Sequence, residues 1–173
     1  MQDLVLKTFL GFADVDLGVA VPDDPDPPPP DCPQVVVLLR MVDRAAAAMA
    51  DGGADLTRAQ ILRRFGRWLD GRLVRDSALS KARLLSTLLA LRHEMERWLC
   101  RRHAFANLGQ RTPVDRLVLT YRDGMDLGDV LHGLLEARLK REHAQVELKR
   151  QEFNDAAGRQ LQFRLERSME TAA

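Results

Sequence analysis

The sequence is poor in cysteine and has no long apolar run. Its two cysteines are Cys32, in a proline run, and Cys100, inside an apparent helix, a pattern that does not support a disulfide framework. No stretch approaches the roughly 18 apolar residues of a membrane span. The N-terminus also lacks the basic start and small-residue cleavage site of a signal peptide. We therefore expect a cytoplasmic protein that has no membrane contact.

The sequence also lacks the patterns of common catalytic sites. It has no Gly-rich phosphate loop, no nucleophile with a recognisable base and no paired acids in a pocket. His93-Glu94 begins like a zinc protease helix, but Arg97 stands where the second histidine must lie. Glu96, Cys100 and His103 share a helix face, although such side chains are more often packing and solvent neighbours than metal ligands. We expect no enzymatic activity, no metal, no cofactor and no small-molecule substrate.

Charge is unevenly distributed along the chain. Residues 1–56 contain ten aspartates, no glutamate and three basic residues, whereas residues 57–103 contain twelve basic and four acidic residues. The remaining residues balance at eleven of each sign. The sequence thus has an acidic head, a basic middle and a neutral end. No aromatic side chain is evident among the exposed arginines, so the pattern gives no platform for base stacking.

The first 33 residues are predicted to be attachments to a helical body. Residues 1–21 form an apolar tail in which Leu6, Phe9 and Leu10 suit a helical turn, while residues 13–21 alternate as in a strand. Such a strand needs a hairpin with residues 4–10 or an edge from another molecule; the alternative is a tail folded over the body. Residues 22–33 hold seven prolines and four aspartates and are predicted to be a stiff acidic linker.

Helical periodicity dominates after the linker. One helix is predicted from Pro33 to Gly52-Gly53, and a second begins at a capping box formed by Thr57 and Gln60. Gly66 and Gly71 in the second helix mark a close helix crossing or a break. A third helix, about 78–108, carries a heptad-like seam of apolar residues with one charged interruption. The seam residues are Leu84, Leu88, Leu91, Met95, Trp98, Arg102 and Phe105.

The run from Asp126 to about Met169 lacks proline and is rich in strong helix formers, so we predict one long helix. A short helix from Thr112-Pro113 is predicted to precede it. The expected fold is all-α: a bundle of about five helices over 34–139, extended by a C-terminal helical arm over 140–173. Past Leu139 the apolar stripe is sparse but regular. An isolated helix with such a stripe is only marginally stable, so we expect it to associate with a partner in the manner of a coiled coil. The predicted partner-binding residues are Val146, Phe153, Ala157, Leu161 and Leu165.

Residues 117–131, Leu-Val-Leu-Thr-Tyr-Arg-Asp-Gly-Met-Asp-Leu-Gly-Asp-Val-Leu, resemble the first part of the helix-turn-helix in sigma-factor region 4 and related phage activators. The resemblance implies a degenerate helix-turn-helix over 113–141, with Arg138, Lys140 and Arg141 facing the major groove. The chain departs from that family at 133–137, Gly-Leu-Leu-Glu-Ala, where a turn is missing. An uninterrupted helix explains the same residues.

Two function classes follow from these patterns. The first is a non-enzymatic structural or adaptor subunit of a larger assembly, associating with a protein partner or with itself through the arm and the tail. The second is a nucleic-acid-binding subunit with an arginine-rich helical face. Its predicted residues are Arg58, Arg63, Arg64, Arg67, Arg72, Arg75, Arg101 and Arg102. Arg72 and Arg75 have an alternative counterpart in Asp23, Asp24 and Asp26. The sequence does not identify the partner.

Overall fold

The computed structural model describes residues 4–22, 33–107, 116–124 and 126–167. Its α-helices are α1 (Leu4–Phe12), α2 (Gln34–Asp51), α3 (Arg58–Leu73), α4 (Ser86–Asn107) and α5 (Gly128–Arg141). Its strands are β1 (Arg116–Arg122), β2 (Val146–Asp155) and β3 (Gly158–Arg167). A π-helical turn, Ala13–Leu17, follows α1, and two 3₁₀ turns, Leu79–Lys81 and Arg83–Leu85, precede α4. The acidic linker lies largely outside the described residues, including Asp23, Asp24 and Asp26.

The sheet corrects the predicted fold class, because an all-α or coiled-coil description does not accommodate it. Its three strands are antiparallel in the order β1-β3-β2, with β3 in the centre. Leu161, Phe163 and Leu165 of β3 are fully buried, and the intervening Gln162 and Arg164 face the other side. This alternation has the period of a strand with one buried face.

The predicted long helix is wrong because α5 ends at Arg141. The next turn brings His143 into a left-handed conformation with φ 47°, and the chain then enters β2. Strands β2 and β3 meet at a tight turn between Asp155 and Gly158, where the Asp155 carboxylate accepts a hydrogen bond from Ala157 N at 2.7 Å. Helix propensity is a weak prior, and here the tertiary burial of alternate residues overrides it.

The helix predicted from Thr112-Pro113 is also wrong in its described part. Residues 116–122 form β1, with Leu119 and Tyr121 buried and Val118 41% exposed on the opposite face. A helix-turn-helix over 113–141 therefore does not form, because a strand occupies the place of its first helix. Arg138 of α5 instead pairs with Glu96 of α4, with Nε 3.0 Å from Oε1.

The N-terminal tail is helical from Leu4 to Leu17 and irregular over 18–22. Val5, Phe9, Phe12 and Ala13 are completely buried, and the ring of Phe65 on α3 contacts both phenylalanines at centroid distances of 5.1 and 5.4 Å. The strand expected from alternation over 13–21 does not form, since residues 13–17 make the π-helical turn and left-handed Gly18 ends it. The tail folds over the helical body and completes its core.

The predicted capping box is confirmed: Thr57 accepts from Gln60 N, and the Gln60 side chain accepts from Thr57 N at 2.8 Å. Helix α3 then runs unbroken past Gly66, where it crosses α5. A Cβ on Gly66 would clash with Val130 O, and a Cβ on Gly133 would clash with Arg63 O. The two glycines therefore let the helix backbones approach closely, whereas Gly71 faces only ordinary contacts.

Helix α4 buries most of its predicted seam. Leu84, Leu88, Met95 and Trp98 are buried, while Leu91 is only partly buried and Phe105 lies beyond the described side chains. A buried ionic network ties this helix to α3 and α5. Asp70, fully buried, lies 3.0 Å from Arg92 Nε and 2.7 Å from an Arg141 terminal nitrogen. This network and the glycine crossing hold α3 in one orientation on the body.

Candidate nucleic-acid interface

One face of α3 remains at the surface and is rich in cations. Its buried residues Ile61, Leu62, Phe65 and Leu69 contribute to the core, and Gly66 and Asp70 face α5 and α4. At 3.6 residues per turn, the remaining face carries Arg64, Arg67, Trp68 and Gly71, with Arg72 at its margin, and Arg75 lies in the turn just past the end of the helix. We call this set, together with Lys7 of α1, the α3 face. The local sequence places these residues there because apolar residues at helical spacing fix which side is buried.

Trp68 occupies the middle of the α3 face and is only partly buried. The ring of Phe12 contacts it edge-on at a centroid distance of 5.9 Å and an interplanar angle of 61°. The guanidinium carbon of Arg72 lies 4.5 Å from the centroid of the indole, which is the geometry of a cation–π contact. Trp68 is thus fixed by the core on one side and paired with a surface cation on the other.

A groove of about 570 Å³ lies between α1 and α3 on one side of Trp68. Lys7, Arg72 and Arg75 make it basic. Its acidic residue, Asp76, is already engaged in holding the following 3₁₀ turn, because its Oδ1 accepts from Ala78 N at 2.9 Å and from Leu79 N at 3.2 Å. The groove is lined by Lys7, Thr8, Gly11, Trp68, Arg72, Arg75, Asp76, Ser77 and Leu79.

A second groove, of about 460 Å³, lies on the other side of Trp68. Arg64, Arg67 and Trp68 of α3 line it together with Asp16 of the π-helical turn. Arg67 also lies 3.5 Å from Glu136, so its charge is partly offset. Within the described part of the chain, no ion pair involves Lys7, Arg64 or Arg75. The two grooves lie on either side of Trp68, which borders both, and we call them together the basic recess.

Other predicted arginines are held by acidic partners. Arg58 makes two hydrogen bonds to Asp43, at 2.7 and 2.5 Å, which raise its pKa further. Arg63 is bound to Glu136 of α5 through two nitrogens, one of them Nε at 3.0 Å, and this hydrogen bonding raises the pKa of Arg63. Both side chains are therefore paired within the chain and contribute little free charge to the surface.

Arg101 and Arg102 lie on α4, away from the α3 face. Arg102 lies over the ring of Trp98 at 4.8 Å, and Arg101 lines a separate groove with His93 and Cys100. The structure thus brings together Arg64, Arg67, Arg72 and Arg75 of the eight predicted arginines. It adds Lys7 and Trp68, which sequence reasoning missed. The spacing of Arg64, Trp68 and Arg72 at i, i+4 and i+8 was the available signal for Trp68.

A buried polar cluster lies below the α3 face. His132 is 7% exposed, and its Nε2 lies 3.5 Å from Glu136 Oε1. Burial, reinforced by the positive charge of Arg63, lowers the pKa of His132 to about 4. Burial raises the pKa of Glu136 but the hydrogen bond from Arg63 lowers it, and the net shift is downward. At neutral pH, His132 is neutral and Glu136 is ionised, so Glu136 remains the counterion of Arg63 and Arg67.

The predicted partner-binding residues are divided between the core and the surface. Leu161 and Leu165 are fully buried, and Val146 is partly buried. Phe153, 43% exposed, and Ala157 lie at the exposed end of the β2–β3 hairpin. Only these two are available to a partner in the folded protein.

No family model matches the sequence, and no curated protein or solved structure shows significant similarity to it. Among the described residues, no group of three histidine, cysteine or acidic side chains is arranged to hold a metal ion. None of the helices in the described ranges is long and apolar enough to cross a membrane.

Proposed function

We propose that the protein is a non-enzymatic, cytoplasmic nucleic-acid-binding protein that holds the phosphate backbone on the α3 face. The observation that carries the proposal is the convergence of Lys7, Arg64, Arg72 and Arg75 around Trp68 in a basic recess. Arginine and lysine contacts to phosphates supply sequence-independent affinity through release of counterions.

Two cations on the outer face of the sheet support this choice by contrast. On the outer face of the sheet, Lys149 lies within 3.4 Å of both Glu147 and Glu166, and Arg116 lies 3.4 Å from Glu166. These cations are neutralised within the chain and offer little to an external anion. The cations in the recess have few such partners, so an external polyanion provides the missing charge.

The test is the affinity of the full chain for a labelled DNA of about 20 nucleotides, as single strand and as duplex, between about 50 and 200 mM salt. We expect affinity to fall steeply with salt in at least one form. Replacing Lys7, Arg64 and Arg75 by Glu should weaken binding at least about 10-fold and reduce the salt dependence.

The matched control replaces Arg116, Arg122 and Lys149 on the sheet face by Glu, which makes the same change in net charge. This variant should retain affinity within about 3-fold if the recess is the site, because only long-range attraction is lost. Absence of binding to both DNA forms at low salt would remove the proposal. An equal loss of affinity in the two variants would show that net charge alone attracts the DNA and that α3 carries no specific site.

Protein association is a second candidate function, favoured by one specific observation. Residues 151–158 at the end of the β2–β3 hairpin are all exposed, and they include Phe153. An aromatic side chain on a projecting hairpin is a suitable anchor for a partner. The adaptor role would then use this hairpin end in place of the helical arm expected from the sequence.

A further inference from the structure

We infer that the recess takes single-stranded nucleic acid, with a base stacked at Trp68 and Arg72 and the backbone following the cations on either side. This inference rests on the proposed function and names the form of its ligand. It depends on three features of the recess: its concavity, the position of its aromatic ring, and the distribution of its charges.

The recess is concave, since its walls belong to different elements. Lys7, Thr8 and Gly11 of α1 form one side of the first groove, and Asp16 of the π-helical turn borders the second. A helix that reads duplex DNA must stand clear of its neighbours to enter the major groove. Helix α3 is instead bordered by α1 at Trp68 and Arg72 and by the π-helical turn at Arg64 and Arg67.

Trp68 separates the two grooves and borders both. Its edge-on contact with Phe12 ties the ring to the core, so the ring loses little freedom when a base binds. Arg72 lies over the indole at 4.5 Å and is exposed to solvent. Guanidinium groups and indole rings both stack on unpaired bases, whereas the bases of a duplex are already stacked on one another.

The charges are arranged for one strand passing Trp68. Arg64 and Arg72 are eight residues apart on α3, a rise of about 12 Å, with Trp68 between them, and Arg75 lies in the turn that follows the helix. This length accommodates a backbone segment of a few nucleotides with a base turned inward at the centre. Asp16 would repel a phosphate at the second groove, but its carboxylate can accept a hydrogen bond from a base amino group or a ribose hydroxyl.

Intrinsic fluorescence makes the inference testable, because the chain has two tryptophans and Trp98 is only 2% exposed. Oligothymidine of about 20 nucleotides should quench the emission of Trp68 on binding, and a duplex of equal phosphate number should bind at least about 10-fold more weakly. Trp68→Leu should weaken single-strand binding about 10-fold and leave the salt dependence unchanged, while Trp68→Phe should retain most of the affinity.

Thermal unfolding of both variants checks that the fold is intact, and the Phe variant keeps the test valid if Leu disturbs the Phe12 contact. Salt-dependent binding without quenching, or with equal affinity for duplex, would overturn stacking at Trp68 and leave phosphate binding standing. Absence of binding to any form would instead overturn the proposed function itself.

Discussion

The α3 face and the outer face of the sheet are both charged surfaces of one small protein, but they differ in how many of their cations have acidic partners within the chain. On the sheet, Glu166 of the central strand lies within 3.4 Å of both Lys149 and Arg116, so these two cations have a counterion within the chain. On the α3 face, Arg64 and Arg75 lie among other cations; the nearby Asp76 is engaged in a turn, and Asp16 is exposed at the second groove. The sheet thus supplies counterions for these cations from its own strands. Several cations of the α3 face have no such counterion among the described residues, and this difference is the basis for proposing that an external anion binds there.

Each of these surfaces also has an opposite face that holds the protein together. The inner side of the sheet packs against α5, and the inner side of α3 crosses α5 at Gly66. Helix α5 is therefore the element on which both inner faces converge. Substitutions on the inner and outer side of the same element separate folding from surface function.

The largest effect is expected on the two sides of the hairpin. Leu161→Ala should lower the free energy of unfolding by about 2 to 5 kcal/mol, since Leu161 is completely buried in β3. Phe153→Ala on β2 should change it by less than about 0.5 kcal/mol, because the exposed ring makes few packing contacts. Denaturant unfolding gives both values, and equal losses would contradict the sheet.

The same pair of variants bears on association through the hairpin. Sedimentation velocity of the wild-type chain and of Phe153→Ala measures the oligomeric state. If the hairpin end joins copies of the chain, the Phe153 variant should dissociate while it unfolds like the wild type. A wild-type chain that remains monomeric at high concentration would exclude self-association and leave only a different protein as the partner.

The hairpin also shows why the sequence misled at this point. Residues 146–167 contain many strong helix formers, and Val146, Phe153, Ala157, Leu161 and Leu165 can be placed along a loose helical stripe. The decisive signals were shorter: strict alternation at Leu161, Phe163 and Leu165, and a turn from Asp155 to Gly158. The helix propensity summed over the whole segment outweighed these signals in the prediction. In the folded protein, burial of one face of the sheet on α5 favours the strands. Nothing in local propensity reveals that burial.

A smaller effect is expected at the glycines of α3, where Gly66 faces α5 and Gly71 faces outward. Gly66→Ala should destabilise by about 1 to 3 kcal/mol, because its methyl group would force the α3 and α5 backbones apart. Gly71→Ala meets its nearest atom at 3.9 Å and should stabilise by up to about 1 kcal/mol through helix propensity. Thermal or urea unfolding of both variants gives the comparison, and a stabilising Gly66→Ala would refute the close crossing.

The candidate site was also predictable only in part, because some of its contacts join residues that are far apart in the sequence. The capping box at Thr57 and the apolar stripe of α3 are local patterns, and they placed Arg64, Arg67, Arg72 and Arg75 on one face. Which arginines would be neutralised depends on distant residues: Glu136, 73 positions from Arg63, meets it only across the helix crossing. Lys7 reaches the recess because α1 folds back on α3. Such long-range pairings depend on the fold. They could not be predicted here because the expected all-α fold was wrong.

The last effect we predict is the pH dependence of stability that comes from the buried polar cluster around His132. His132 on α5 faces Arg63 of α3, Arg150 of β2, and Asp129 and Glu136 of its own helix. Its folded pKa of about 4 lies below the unfolded value of 6.5, so the neutral form is favoured by folding. The stabilisation is complete above pH 6.5 and is lost as pH falls toward 4. From about pH 7.5 to 5.5 the free energy of unfolding should fall by about 1.4 kcal/mol from this group.

His132→Gln should remove this part of the pH dependence, since glutamine cannot take up the proton. The matched control is His143→Asn at an exposed position, where asparagine tolerates the positive φ. That variant should keep the wild-type slope. Urea unfolding of the three proteins at pH 7.5 and 5.5 measures the change in the free energy of unfolding with pH. If this change persists in the His132 variant, other groups take up the proton. If the slope disappears with His132, the protonatable group is the one buried where the inner faces of α3 and of the sheet meet on α5.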